Sequence, residues 1–335
     1  MVPISGVESA PNELWRGPGN ECLPARPASP RPDWSAFIKM MRATAEYSIP
    51  RRTIEPGTYS SIEVSPVTPA IGAEVRGVDL ALPLSEAQGS DIREAFLRHL
   101  VLFFRDQKRL APEDQIRFGR MFGPLHIHPA APHLDRFPEV MIIHTGKEST
   151  YSNGQGWHSD VSCEAEPPLG TMLQVQHLPQ SGGDTLFANM YAAYDDLSEG
   201  MKQILAGLVA VHESEHVYPQ RFGGQDKSGR VRVSPRAEHP VIRTHPETGK
   251  QVIFVNSFFT TRIKGLEPAE SDALLQFLFK HVENPYYQVR FRWQPNDVAL
   301  WDNRCAQHIA IWDYWPNERT GYRVSIKGDR PFYRG

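Results

Sequence analysis

From about residue 60 onward the apolar positions switch repeatedly between a period of two and a period near 3.6. "SIEVSP" and "GAEVRGVDL" alternate as short strands, with Gly72 and Gly77 marking turns. "SEAQGSDIREAFLRHL" places Ser85 and Gln88 at capping-box spacing ahead of an Ile92, Phe96, Leu100 stripe, which predicts an amphipathic helix. "VLFFR" then reads as a buried strand, and "PEDQIRFGRMF" as a helix with proline in its first turn. Further on, "LGTMLQVQHL" and "GGDTLFANM" predict strands, and a helix follows over about 192–208. "PVIRTHPETGKQVIFVN" predicts two strands around a turn, and "PAESDALLQFLFKHV" a helix. "YYQVRFRW", "DVALWDN" and "RVSIKGD" close the chain as strands. Many short strands with a few interposed helices predict a mainly β fold with flanking helices, a sandwich or jelly roll.

Two stretches break the pattern. Residues 1–56 hold seven prolines within the first 33 positions and little periodicity. Such a segment cannot bury enough apolar surface to offset its ordering entropy, so it is expected to be an extended or disordered extension. It could wrap a neighbour in a homo-oligomer, and "WSAFIKMMRATA" could form a short helix within it. The folded domain is then 57–335. Residues 212–238 are polar, glycine-bearing and long for a connection, which predicts a mobile lid.

The composition excludes several classes. Among 335 residues, 40% are apolar and 22% charged, as in ordinary globular chains. A formal charge of −3 leaves no electrostatic footprint for nucleic acid. No apolar run reaches the ~18 residues of a membrane span, and no secretory signal opens the chain. Cys22, Cys163 and Cys305 are odd in number and far apart, which suits a reducing cytoplasm.

Candidate chemistry begins at "GQGWHSDVS". In a strand, positions i and i+2 share a face, so His158 and Asp160 project together. A histidine and a carboxylate on one face suit a divalent metal, and two histidines with one carboxylate mark non-haem Fe(II) oxygenases. A polar loop presenting both side chains to water is the competing reading. His308 lies 148 positions after Asp160, just past a predicted strand, and Arg319 and Arg323 follow it by 11 and 15.

From about residue 60 to the end, the chain resembles the taurine dioxygenase (TauD/TfdA-like) family of Fe(II)/2-oxoglutarate-dependent dioxygenases. The resemblance rests on "FGPLHIHP", "WHSDVS", "GGDTLFAN", "FTTRI", "RWQPNDVALWDNRCAQH" and "KGDRPFYR". It implies a double-stranded β-helix (jelly-roll) core with His158, Asp160 and His308 as iron ligands and catalytic centre. Arg319 matches the arginine that grips the distal carboxylate of 2-oxoglutarate, and a guanidinium fork fits a carboxylate as lysine does not. Thr185 matches the threonine that hydrogen-bonds the same carboxylate. His128 and Arg323 match sulfonate-binding positions, Phe259 a pocket aromatic and Val161 a pocket-lining residue.

The implied activity is O2-dependent hydroxylation coupled to conversion of 2-oxoglutarate into succinate and CO2. For an alkyl sulfonate or sulfate ester, collapse of the hydroxylated product would release an aldehyde with sulfite or sulfate. Hydroxylation of a carboxylate or amino-acid-like metabolite without cleavage stays open as the alternative. Departures bear on the substrate: Ala131 stands for a tyrosine, Gly154 for an asparagine and Cys163 for a phenylalanine. The amine end of a taurine pocket is thus expected to be altered and roomier. A metal-binding module and a zinc hydrolase are the remaining alternatives, and neither needs Arg319 and Thr185. His126, His133, His212, His216 and His245 read as loop or surface residues, and Trp157, Trp301 and Trp312 as core packing. Asp302 and Asn303 read as a turn that supports the site.

Overall fold

The computed structural model describes residues 54, 57–128, 131–152, 154–217 and 234–335. Apart from Ile54, the expected extension over 1–56, with its short helix, lies outside the described residues. Seventeen strands are described in these residues. The first seven are β1 Glu63–Pro66, β2 Ala73–Arg76, β3 Val101–Phe104, β4 Leu125–His126, β5 His133–Leu134, β6 Phe137–Thr145 and β7 Gly170–His177. Then come β8 Thr185–Asn189, β9 Val209–Glu213, β10 Arg236–Pro240, β11 Ile242–Thr244 and β12 Gln251–Ile253. The last five are β13 Thr260–Ile263, β14 Gln288–Phe291, β15 Val298–Asp302, β16 Ala306–Ala310 and β17 Arg319–Ile326.

A nine-stranded sheet runs β1-β2-β3-β15-β7-β17-β6-β5, with β4 paired to β17. A three-stranded sheet, β14-β8-β16, faces it. Strand alternation explains why runs such as "VLFF" are apolar throughout. Val101, Phe103, Leu173 and Trp301 point between the sheets, where they meet Phe187, Val289 and Phe291. Leu102, Phe104, Met172 and Leu300 point outward into a second core. There they meet Ile92 and Phe96 of α1 (Glu86–His99) and Phe118 of α2 (Pro112–Arg120). The double-stranded β-helix core with flanking helices is therefore the observed architecture.

Local signals act as expected at α1, where Ser85 and Gln88 form the reciprocal capping box. The helix expected over 192–208 is instead two: α3 (Met190–Asp195), capped by Asn189, and α4 (Glu199–Leu205), capped by Ser198. The Ser198 hydroxyl accepts the Met201 N–H, so a new helix starts where one helix was expected to continue. The fifth helix, α5, spans Pro268–Val282. The connection expected over 212–238 is shorter than it reads, because β9 and β10 pair from Glu213↔Arg236 inward. What lies between residues 217 and 234, and with it the expected lid, falls outside the described residues. Among the described residues no helix is long and apolar enough to cross a membrane.

Candidate active site

His308 sits within β16, opposite Phe187, rather than beyond a strand. His158 is not in a regular strand. It forms a one-residue bridge to His308, with backbone bonds of 3.0 and 2.9 Å in the two directions. The chain then turns: Val161 adopts φ 48, and the Glu164 N–H returns to the Val161 carbonyl at 2.9 Å. Bridge and turn together bring Asp160 back beneath the two imidazoles.

The three side chains converge. His158 Nε2 and His308 Nε2 each lie 3.6 Å from Asp160 Oδ1, and the imidazole centroids are 4.1 Å apart. All three residues are buried. His158 Nδ1 donates to the Gly156 carbonyl at 2.7 Å, which fixes the tautomer and leaves the Nε2 lone pair facing inward. Burial, followed by the neighbouring His158 imidazole, holds the pKa of His308 well below its ordinary value, so it stays neutral. Burial opposes ionisation of Asp160, but Arg323 and the two histidines outweigh it and keep the carboxyl well below its usual range.

The other carboxylate oxygen of Asp160 is anchored. Oδ2 accepts from Thr171 Oγ1 at 2.8 Å and from Trp301 Nε1 at 3.2 Å. Thr171 and Trp301 are direct partners across β7 and β15, which is why both reach the same atom. Asn303 closes the support, accepting from the Asp160 N–H at 3.2 Å and donating to Thr171 at 3.0 Å. The reading of Trp301 as core packing alone was incomplete, because its ring packs in the core while its N–H holds the carboxylate.

A cleft of about 750 Å³, mouth included, opens over these residues. His128, Val161, Thr185, Phe259, Arg319 and Arg323 all line it, so the structure brings every expected site residue together. Arg319 is 5% exposed, and its Nε and Nη2 have no partner among the described residues. Burial lowers its pKa, opposed by Tyr314 and Asp184. Its guanidinium lies 5.5 Å from the centre of the Trp293 ring, whose N–H donates to Thr185 Oγ1 at 3.0 Å. Arg323 Nη2 contacts Asp160 Oδ1 at 2.7 Å, and His128 Nδ1 accepts the Ala131 N–H at 3.0 Å.

Ala131 and Gly154 also line the cleft. Gly154 has φ +81, and a Cβ there would lie 2.9 Å from His158 Cε1, so a side chain at this position would press on the imidazole. Met141 and Ile143 on β6, with Leu173 and Ala310, complete an apolar wall that sequence reasoning missed. The alternation in "FPEVMIIHT" was the available signal.

Two histidines expected at the surface are buried. His212 lies in β9 against Ser162, and His245 bonds Asp302 at 3.2 Å.

A double-stranded β-helix holding a buried His-Asp-His trio beneath a cleft with an unpaired arginine defines the class: a non-haem iron oxygenase. Comparison with known proteins narrows it. The model of the family described as "Taurine catabolism dioxygenase TauD, TfdA family" matches residues 63–325. An alpha-ketoglutarate-dependent sulfate ester dioxygenase of Pseudomonas putida is 36% identical over 277 residues, 81% of this chain and 91% of that protein. An alkylsulfatase of Acinetobacter baylyi is 35% identical over 275 residues, 80% and 86% of the two chains. The crystal structure of a taurine dioxygenase from Burkholderia xenovorans superposes with a TM-score of 0.70 at 36% identity, covering 81% and 91%. The chain belongs to the TauD/TfdA family of Fe(II)- and 2-oxoglutarate-dependent dioxygenases.

Proposed function

We propose that the chain hydroxylates a small alkyl sulfate ester or alkyl sulfonate at the carbon bearing the sulfur group. The observation that carries this reading is Arg319, a buried guanidinium with two unpaired donors, opening onto the same cleft as the trio. A buried cation left unpaired is costly, so a carboxylate ligand is the natural partner. Arg319 and Thr185 would hold the distal carboxylate of 2-oxoglutarate, and His158, Asp160 and His308 would hold Fe(II). Two neutral or tautomer-fixed Nε2 atoms and Asp160 Oδ1, which keeps a lone pair beside its Arg323 contact, fit that ion.

Bound iron and cosubstrate supply the oxidising power: O2 is consumed, succinate and CO2 leave, and a C–H bond becomes C–OH. The chain's own residues decide which bond. Arg323 and His128 would bind the anionic head, and Val161, Phe259, Met141 and Ile143 would enclose the alkyl tail and keep water out. Collapse of the hydroxylated ester gives an aldehyde and sulfate; a sulfonate gives sulfite. The names of the relatives support a sulfur-bearing anion, and unpaired Cys163 and Cys305 support a cytoplasmic location. Assembly into a homo-oligomer is part of the same proposal.

A substrate panel tests the reading: taurine, n-hexanesulfonate, n-hexyl sulfate and n-hexanoate, scored by substrate-dependent succinate and by sulfite or sulfate. The apolar wall favours tails, at about 0.8 kcal/mol per buried methylene, so n-hexyl chains should exceed taurine by at least about tenfold in kcat/KM. Taurine as best substrate, or succinate formed from n-hexanoate alone, would overturn it.

A further inference from the structure

Val161 and Phe259 both line the cleft near His158, yet they belong to neither large core. With Cys163 they form a small separate cluster, joined among the described residues by Val217 and Phe258. Phe258 and Phe259 lie against the His158 ring, at centroid distances of 5.2 and 6.2 Å. Val161 is also strained, since a β-branched residue rarely adopts φ 48. A detached, strained wall needs something other than core packing to hold it.

A polar strut does so. The fully buried Asn256 side chain bridges the two walls. Its Oδ1 accepts the Phe259 N–H at 2.9 Å, and its Nδ2 donates to Ser162 Oγ at 3.0 Å, next to Val161 in the chain. Ser162 Oγ also meets His212 Nδ1 at 3.0 Å. Because the amide can only donate to that oxygen, the hydroxyl proton is free to go to His212 Nδ1. Burial holds the pKa of His212 well below its ordinary value and keeps the ring neutral. Backbone bonds from Asn256 N to Thr260 Oγ1 and from Thr260 N to Asn256 O, both 3.0 Å, fasten the far end.

We infer that Asn256, with Ser162 and His212, is a positioning group that sets the spacing between Val161 and Phe259, and so aims the substrate tail at the iron site. This rests on the substrate reading above. Asn256 touches no ligand itself. It acts through the two walls, leaving the Arg319 end of the cleft untouched.

The test pairs an activity-free measurement with a kinetic split. In iron-free protein, hydrogen exchange should accelerate by about tenfold at residues 161–163 and at 259–260 together in Ser162→Ala, the scale of one lost buried hydrogen bond. Amides of β16 should keep their rates. Residues 259–260 keep every direct partner in this variant, so their faster exchange reports the strut; unchanged rates there would overturn it. Asn256→Ala should give a larger rise at both segments. In the Fe(II)-loaded enzyme, Ser162→Ala should raise the KM for n-hexyl sulfate by roughly three- to tenfold and leave that for 2-oxoglutarate within about twofold. A parallel rise in both would mean general loosening and would also overturn the inference. If the wild-type enzyme ignores n-hexyl sulfate, the substrate reading fails while the exchange result still decides the strut.

Discussion

Two buried trios in this molecule look alike on paper. His158, Asp160 and His308 in the cleft, and His245, Asp302 and Cys305 beside it, each bring potential metal donors within 4.8 Å of one another. Their hydrogen bonds separate them. Asp302 Oδ1 accepts from the Arg304 backbone N–H at 2.9 Å and from its Nε at 2.8 Å. Oδ2 accepts from Arg304 Nη2 at 2.6 Å and from His245 Nε2 at 3.2 Å. His245 Nδ1 takes the Glu247 and Thr248 N–H groups at 3.2 and 3.1 Å, so its lone pair is occupied too. Burial, followed by Asp302, pushes the Cys305 thiol well above its ordinary pKa, so it stays protonated. Every donor of the second trio is committed to protein. In the first, the two imidazole Nε2 atoms meet no donor among the described residues and Asp160 Oδ1 meets one, Arg323 Nη2 at 2.7 Å, so each of the three atoms keeps a lone pair to face an ion. Uncommitted lone pairs, rather than proximity, make a metal site.

The second trio instead pins the turn between β15 and β16, the turn that delivers His308. Substituting the two aspartates should therefore split their effects. Asp160→Ala is expected to abolish iron binding and turnover with the smaller loss of stability, because Arg323, which it leaves without that partner, lines the open cleft whereas Arg304 is enclosed. Asp302→Ala removes the Asp302 bonds of the buried Arg304, leaving its contact with Glu247 at 2.6 Å, and should cost on the order of 3 kcal/mol of stability. Equilibrium dialysis of Fe(II) and thermal unfolding on both variants decide the matter. An Asp302→Ala protein that melts normally but loses iron would collapse the distinction.

The two arginines sharpen it at a smaller scale. Arg319→Lys replaces a two-pronged fork with a point charge, so one charge-assisted bond of ~1.5–3 kcal/mol is lost and the 2-oxoglutarate requirement rises about tenfold to a hundredfold. Stability should hardly move. Arg304→Lys should do the reverse, lowering the melting temperature with little change in the 2-oxoglutarate KM. If Arg319→Lys left that KM unmoved, Arg323 would be the cosubstrate's partner.

Much of this was readable from the chain because period-two patterning and capping chemistry are local. The Ser85–Gln88 box, the "VLFF" strand and the HxD pair needed no tertiary knowledge. What stayed hidden depends on register between distant strands. Nothing near Trp301 reveals that it sits opposite Thr171 and shares with it an oxygen of Asp160, 141 residues away. His212 and His245 lie in polar stretches, and a polar stretch does not reveal which of its side chains turns inward to a buried partner. The committed trio could not be told from the open one either, because the difference lies in who donates to Asp302 and His245.

Acid should produce the smallest of the expected effects and separates the trios once more. The Arg304 guanidinium and His245 outweigh burial and hold Asp302 far below the ordinary carboxylate range, so mild acid leaves the pin charged. Two buried histidines outside both trios behave differently. Burial, followed by Arg98, lowers His99 from 6.5 to about 4. Burial likewise lowers His239 to about 4, against hydrogen bonds to the carbonyls of Glu164 and Ser162 that favour the charged form. Because the folded-state values are depressed, the unfolded chain takes up protons first as the pH drops below about 6.5. Stability is therefore intact above that point and erodes as pH falls toward about 4, with a loss on the order of a few degrees by pH 5. His239→Gln cannot titrate, and its amide can still donate to the Glu164 carbonyl, so it should flatten part of that slope. Asp302→Asn should lower the whole melting curve without changing the slope between pH 6.5 and 5. If His239→Gln left the slope intact while Asp302→Asn removed it, the pin would be the acid-labile element, and the contrast drawn between the two trios would have to be reversed.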